Sequence, residues 1–306
     1  MNGRRKTGRL SLRVASTLAL TAMLAACGGG GSASPAGAAS GAAATPVAAQ
    51  RKPMGLLIPL YAYPLTYSGS GVTRVTVVNP AWTAVAMGAA SVPTVAVINP
   101  SSGPAACSDP PTATLAAFQQ SIAQLQAADV TVLGYVHTSY GQRGQALVLQ
   151  DVQTYAHCYG VDGIFFDEVP NTTGDASYYA AVSSAARAAI KPQSGKPALV
   201  VINPGSYPGL AVAQTADITV MHESADLNLP PVPAALASLP PSRYAYMAYG
   251  IGQPVQAALS ALFSRGIAYV DLTDQGTGGT DPWTNLATGY AGLVQAVQGL
   301  NQTLAP

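Results

Sequence analysis

The chain is 306 residues long and carries 14 Lys and Arg against 13 Asp and Glu, a formal net charge of +1. Its basic residues form no patch and no run spaced with aromatics, which argues against a nucleic-acid partner. Glutamate occurs only at Glu168 and Glu223, so each is a local device and not part of a general surface charge.

Arg4, Arg5, Lys6, Arg9 and Arg13 precede an apolar run over residues 14–26. This is the charged and apolar pattern of an export signal, too short for a spanning helix. The run ends in Leu24-Ala-Ala-Cys27, which resembles the lipobox of bacterial lipoproteins. That resemblance implies cleavage after residue 26 and lipidation of Cys27. With Gly28 and not Asp next to it, the resemblance also implies an outer-membrane anchor. An ordinary signal peptide with a chance cysteine is the alternative. Residues 27–52 are mostly Gly, Ala, Ser, Thr and Pro, which cannot bury enough surface to offset ordering entropy, so a flexible tether is expected. Without residues 1–26 the chain holds nine basic and thirteen acidic side chains, a net charge of −4 that leans toward a neutral or cationic substrate.

The remaining 254 residues, 53–306, match the length of one (β/α)8 barrel. Apolar, β-branched runs predict strands at 54–60, 95–99, 130–136, 161–167, 198–203, 217–222, 244–249 and 267–272. Ala/Leu/Gln-rich stretches predict helices at 112–127, 147–157, 175–190, 207–214, 233–238, 254–264 and 285–298. In the first crossover, 72–78 reads as extended and 81–90 as helix. Strands alternating with helices imply parallel βαβ units, and eight of them imply closure into an α/β TIM barrel, with an open doubly wound sheet as the alternative.

The fourth run, Ile164-Phe-Phe166, ends in the adjacent carboxylates Asp167 and Glu168, and the sixth ends in Glu223. Carboxylates are costly inside a sheet, so they belong where strands emerge at the carboxyl-end mouth, the usual place of an active site. Tyr61, Asn99, Tyr135, His137, Tyr140, Asn203, Tyr249 and Asp271 fall at or near strand ends before Gly or Pro signals. They are predicted to line the same mouth as substrate-binding residues, with Tyr61, Tyr135, Tyr140 and Tyr249 as sugar platforms. Cys107 follows the second strand at the mouth, whereas Cys158 precedes the fourth at the opposite face. A strand of five or six residues spans about 17–20 Å, so the two thiols are predicted to stay unpaired, and a bridge would count against the barrel.

Four blocks, Ile58-Pro-Leu-Tyr-Ala-Tyr-Pro64, Val97-Ile-Asn-Pro-Ser-Ser-Gly-Pro104, Leu133-Gly-Tyr-Val-His-Thr-Ser-Tyr140 and Val161-Asp-Gly-Ile-Phe-Phe-Asp-Glu168, resemble the spherulin-4 family, grouped with glycoside hydrolase family 135. Ile202-Asn-Pro-Gly205 and Met221-His-Glu223 add weaker matches. The resemblance implies a TIM barrel that cleaves α-1,4-linked galactosamine or N-acetylgalactosamine exopolysaccharide, with Asp167, Glu168 and Glu223 as the functional set. It covers the first two-thirds of the barrel.

Glycoside hydrolysis needs one carboxylic acid to protonate the leaving oxygen and one carboxylate to attack carbon or activate water. Neighbours on a strand point to opposite sides, so Asp167 and Glu168 are unsuited to flank one bond. Asp167 is therefore expected as nucleophile and Glu223 as acid/base, with Glu168 orienting a neighbour or binding a substrate hydroxyl or amine. A structural ion-pair network would need a nearby cation, for which Arg143 is the candidate. A metal site would have to gather His137, His222 and Asp271, which lack ligand spacing. No Gly-x-Ser-x-Gly follows a strand, and Gly276-Thr-Gly-Gly279 lacks a phosphate-loop lysine. The reading is of a monomeric hydrolase with a polysaccharide substrate, no cofactor and no metal. A non-catalytic carbohydrate-binding surface lipoprotein is the rival.

Overall fold

The computed structural model describes residues 51–252 and 255–304. The expected export signal, the expected lipidation site Cys27 and the expected tether up to residue 50 lie outside them. Eight strands close into a parallel barrel: β1 (Gly55–Pro59), β4 (Thr94–Ile98), β5 (Thr131–His137), β6 (Gly163–Asp167), β7 (Leu199–Ile202), β8 (Ile218–Ser224), β9 (Tyr244–Ala248) and β10 (Tyr269–Leu272). β1 pairs with both β4 and β10, which closes the ring. The short strands β2 (Leu65–Ser68) and β3 (Val75–Val78) form an antiparallel hairpin in the first crossover.

Helices α1 (Pro80–Ala89), α2 (Ala113–Ala127), α3 (Gln145–Thr154), α4 (Ala176–Ala189), α5 (Leu210–Ala213), α6 (Gln256–Ser264) and α7 (Tyr290–Asn301) occupy the crossovers. α1 starts where Asn79 accepts from the Ala81 N–H and Pro80 needs no hydrogen-bond partner. α2 is capped by the Thr112 hydroxyl, which accepts from Leu115. The helix expected over 233–238 shrinks to one 3₁₀ turn, Ala234–Leu236. Leu229-Pro-Pro-Val-Pro233 before it and Pro240-Pro241 after it leave too little proline-free chain for a helix.

Period-two alternation splits the strand side chains between two cores. Leu57, Val95, Val97, Leu133, Tyr135, Phe165, Val201, Val220, Ala245 and Met247 fill the barrel, whereas Leu56, Val132, Ile164, Phe166, Val200, Tyr246 and Val270 pack under the helices. β8 breaks this rhythm. Val220 pairs with Ala245 but His222 pairs with Tyr246, so Met221 is an extra residue in a β-bulge. Strict alternation would send His222 inward with Val220. The bulge brings Glu223 instead level with inward-facing Met247 and leaves His222 stacked on outward-facing Tyr246.

The thiol expectation was wrong. Cys107 and Cys158 form a disulfide with Cα atoms 5.9 Å apart, and the barrel is closed nonetheless. Residues 99–112 form a loop long enough, at about 3.3 Å per residue, to run down the outside of the barrel. Ala105 is tied there by both its N–H and its carbonyl to the Tyr159 hydroxyl. The Cys158 carbonyl accepts from Gln119 in the second turn of α2, so Cys158 lies partway up the helical layer and not at the barrel floor.

Candidate active site

Asp167 is the last residue of β6, inward-facing like Gly163 and Phe165. The Tyr135 hydroxyl donates to its Oδ2 at 2.9 Å, and Asn203 Nδ2 donates to its Oδ1 at 2.8 Å. The same Asn203 nitrogen also donates to Glu223 Oε2. Two oxygens sharing one amide NH₂ at ordinary hydrogen-bond lengths lie about 5 Å apart. The other oxygen of Glu223 accepts from the indole N–H of Trp283 at 3.2 Å.

Asn203 cannot turn to serve another partner, because its Oδ1 accepts from Gly205 N–H at 3.0 Å. The Pro204 that follows breaks the strand, and the turn through Gly205, at φ +62°, makes that contact possible. Burial raises both carboxyl pKa values. For Asp167 the opposing influences are hydrogen bonds from the Glu168 backbone, Tyr135 and Asn203. For Glu223 they are the hydrogen bonds from Asn203 and Trp283, while the Asp167 charge adds to the rise. The pair is therefore poised to hold a proton more readily than free carboxyls do.

Glu168 does not join that pair. Its backbone adopts φ +54°, and its Oε2 accepts from Ser139 N–H at 3.0 Å with His137 Nδ1 at 3.7 Å. Ser139 and Tyr140 have φ +49° and +54°, so three non-glycine left-handed residues cluster where β5 and β6 end. Each such residue costs on the order of 1 kcal/mol, strain of the kind that persists around functional sites. Arg143 is engaged with Asp151 at 2.7 Å and with the His137 carbonyl, and no Lys or Arg pairs with Asp167, Glu168 or Glu223 among the described residues. The ion-pair reading of the carboxylates thus loses its cation.

The remaining predicted residues divide by what they touch. Tyr61 is half-buried, edge-on to Tyr135, and its hydroxyl pKa is raised by burial and by Asp167, Tyr135 and Glu223. Tyr249 meets Trp283 edge-on, and Tyr140 stands 62% exposed on the rim. Tyr135, predicted as a platform, is only 8% exposed and stacked on Phe165, so it offers Asp167 a hydroxyl and a sugar no face. Asn203, predicted to bind substrate, is 6% exposed with both amide hydrogens on the carboxylates. Asn99 uses its oxygen to accept from Gly103 N–H, which shapes the turn after β4. Asp271 sits inside the barrel beside Met247, 5% exposed, with burial pushing its pKa up to about 7. His222 faces the helices and binds Asp226, so His137, His222 and Asp271 do not converge.

Trp283 was not among the predicted residues. It lies after β10 in a segment with no strand or helix signal, and its carbonyl accepts from Tyr61 N–H, which ties that segment to the chain leaving the neighbouring strand β1. A separate cavity of about 590 Å³ opens at the opposite end of the barrel, lined by Asp129, Thr131, Asp162, Lys196, Leu199 and Tyr269. The Asp162 carboxylate there binds Val132 N–H and Gln126 through Oδ2, a structural role.

A crystal structure of Aspergillus clavatus Sph3 in complex with GalNAc is similar in fold, with a TM-score of 0.62 and 23% identity over 80% of this chain and 98% of that one. The C-terminal domain of a putative chitinase from Desulfitobacterium hafniense DCB-2 follows at a TM-score of 0.50 and 11% identity, covering 82% of this chain and all of that one. Spherulin-4 of Physarum polycephalum is 32% identical over 269 residues, which are 83% of this chain and 73% of the relative. Residues 55–297, which hold the whole barrel and every residue of the mouth described above, match the spherulation-specific family 4, and the chain belongs to that spherulin-4 family.

Proposed function

We propose that the chain is a glycoside hydrolase that cleaves α-1,4-linked galactosamine or N-acetylgalactosamine exopolysaccharide with retention of configuration. The observation that carries this reading is the single amide of Asn203 joined to both Asp167 and Glu223. A carboxylate gap near 5 Å suits a double displacement, whereas inverting pairs stand about 6.5–9.5 Å apart to admit a water. The resemblance of the strand-end blocks to the spherulin-4 family, and the GalNAc bound to Sph3, support a hexosamine as the sugar.

In the first step Asp167 attacks the anomeric carbon while protonated Glu223 gives its proton to the departing glycosidic oxygen. The products are a glycosyl ester on Asp167 and a free sugar hydroxyl. In the second step Glu223 takes a proton from water, the resulting hydroxide displaces Asp167, and both carboxyls return to their starting states. The Tyr135 and Asn203 donors favour ionised Asp167 against its burial. Tyr140, Tyr249 and Tyr61 offer ring surface to sugars, and Glu168 a rim carboxylate for a hydroxyl or amine. Lipidated Cys27 would tether this barrel to the outer membrane.

The test is reducing-end release from partially deacetylated galactosaminan by the wild type and by Asp167→Asn. The wild type is expected to release ends and the variant to lose that activity. Equal activity in both would refute the catalytic assignment, and an inert wild type that still binds the polymer would favour a carbohydrate-binding protein.

A further inference from the structure

Glu223 is held from two sides by donors of different kinds. Asn203 occupies Oε2, and on Oε1 the partner is the Trp283 indole N–H at 3.2 Å. An indole nitrogen can only donate, so this contact favours the ionised carboxylate and cannot follow a proton onto Oε1. Trp283 is itself fixed: Asp281 Oδ1 accepts from its backbone N–H at 2.9 Å, its carbonyl accepts from Tyr61 N–H, and Tyr249 meets its ring edge-on at 6.0 Å. A tryptophan placed only to fill the mouth could present any edge to Glu223. Here it presents its one polar atom to an oxygen of an inward-facing carboxylate.

We infer that Trp283 is a positioning residue for Glu223, setting the orientation of that carboxyl and the ease with which it gives up its proton, an inference that rests on Glu223 being the acid/base. The groups facing Glu223 are few. Asp167 and Asp281 are acidic, and both oppose its ionisation. Tyr61 and Tyr135 are phenols whose hydroxyls stay protonated in the working range, since burial raises both. Trp283 and Asn203 are the side-chain donors that act the other way. Removing the indole N–H should therefore let burial and the two aspartates dominate. Glu223 would then hold its proton more tightly, which keeps it protonated to higher pH for the first step but makes it a weaker acid there, and leaves less of it ionised to act as base in the second.

The composition makes this measurable without a substrate. The chain has two glutamates and two tryptophans, so a chain labelled with [5-¹³C]glutamate shows two carboxyl signals and an ¹⁵N-labelled one shows two indole signals. The other indole, Trp82, donates to the Ala62 carbonyl and serves as an internal reference. In Trp283→Phe, which keeps an aromatic ring but no donor, the Glu223 carboxyl should bind its proton about tenfold more tightly, the worth of a hydrogen bond to a charged group. The Glu168 signal should not move, and the basic limb of the hydrolysis profile should follow Glu223 upward. An unchanged Glu223 titration overturns the inference. Should Trp283→Phe fail to fold, the wild-type Trp283 indole proton is expected to shift with the Glu223 midpoint and to lose that response in Glu223→Gln; an indole signal flat across the titration also overturns it. Failure of the wild type to hydrolyse any hexosamine polymer would remove the acid/base role of Glu223, while the titrations would still judge the indole contact by themselves.

Discussion

Asp271 is a carboxyl placed where a carboxylate does not belong, and it should leave a signature in the pH dependence of stability. It faces the barrel interior from β10 beside Met247, with no side-chain donor on its oxygens among the described residues. Burial lifts its pKa to about 7, with only the Leu272 backbone pulling the other way. The unfolded chain releases this proton near the usual 3.8, so between about pH 4 and pH 7 the native state binds the proton and the unfolded state does not. Its contribution is therefore fully present below pH 4 and is lost as pH rises through 7. At 1.36 kcal/mol per pH unit, the gap from 3.8 to about 7 amounts to about 4 kcal/mol. Asp271→Asn keeps the shape and cannot ionise. In urea melts at pH 4 and pH 8, the wild type should lose about 4 kcal/mol more than the variant between the two pH values. In thermal melts the excess loss is roughly 10 °C. Parallel stability curves across that interval would refute the argument, because a carboxyl reached by water or paired with a donor would show no such difference.

Three further outcomes follow from the contacts. Asn203→Leu removes the donor common to both carboxylates and should lower kcat by about 10²–10³, the usual worth of one preorganised donor, while leaving KM within a few-fold by steady-state kinetics. Tyr140→Ala removes exposed ring surface without touching Asp167 or Glu223, so KM should rise several-fold with kcat unchanged if the rim binds sugar. The Cys107–Cys158 bridge closes a 51-residue separation, which in the chain-entropy model is worth about 4 kcal/mol, so Cys107→Ser with Cys158→Ser should lower Tm by roughly 10 °C in calorimetry.

Most of the barrel was legible because its signals are local. Each of the eight strands falls on an apolar, β-branched run, and the run's end marks the mouth. What the sequence concealed depended on loops. Position in the chain places the 99–112 loop at the level of its strand end, whereas its length lets it descend and bring Cys107 to Cys158. The 233–238 stretch has helical composition, but the prolines on both sides decide its conformation. Trp283 gave no signal, since a single tryptophan in a polar segment carries no periodicity and its contact with Glu223 joins residues sixty positions apart.

Glu223 shows how an expected place at the mouth can rest on an incomplete reason. Rarity and position at a strand end pointed to it, yet the side-chain period of β8 would have aimed His222 into the barrel and Glu223 at the helices. The extra residue at Met221 reverses this. Met221 packs under the helices, where the Tyr207 hydroxyl donates to its sulfur at 3.2 Å, and His222 follows it outward against Tyr246. Outward partners for both residues leave Glu223 as the one that turns in to Asn203. Two consecutive outward residues are therefore what distinguish a bulged strand from a regular one at this point. Their side chains are a thioether and an imidazole, neither of which marks a face by hydrophobicity alone. The bulge acts on the site directly: with regular pairing, a histidine would stand opposite Asp167, and the mouth would lose one of its two facing carboxylates.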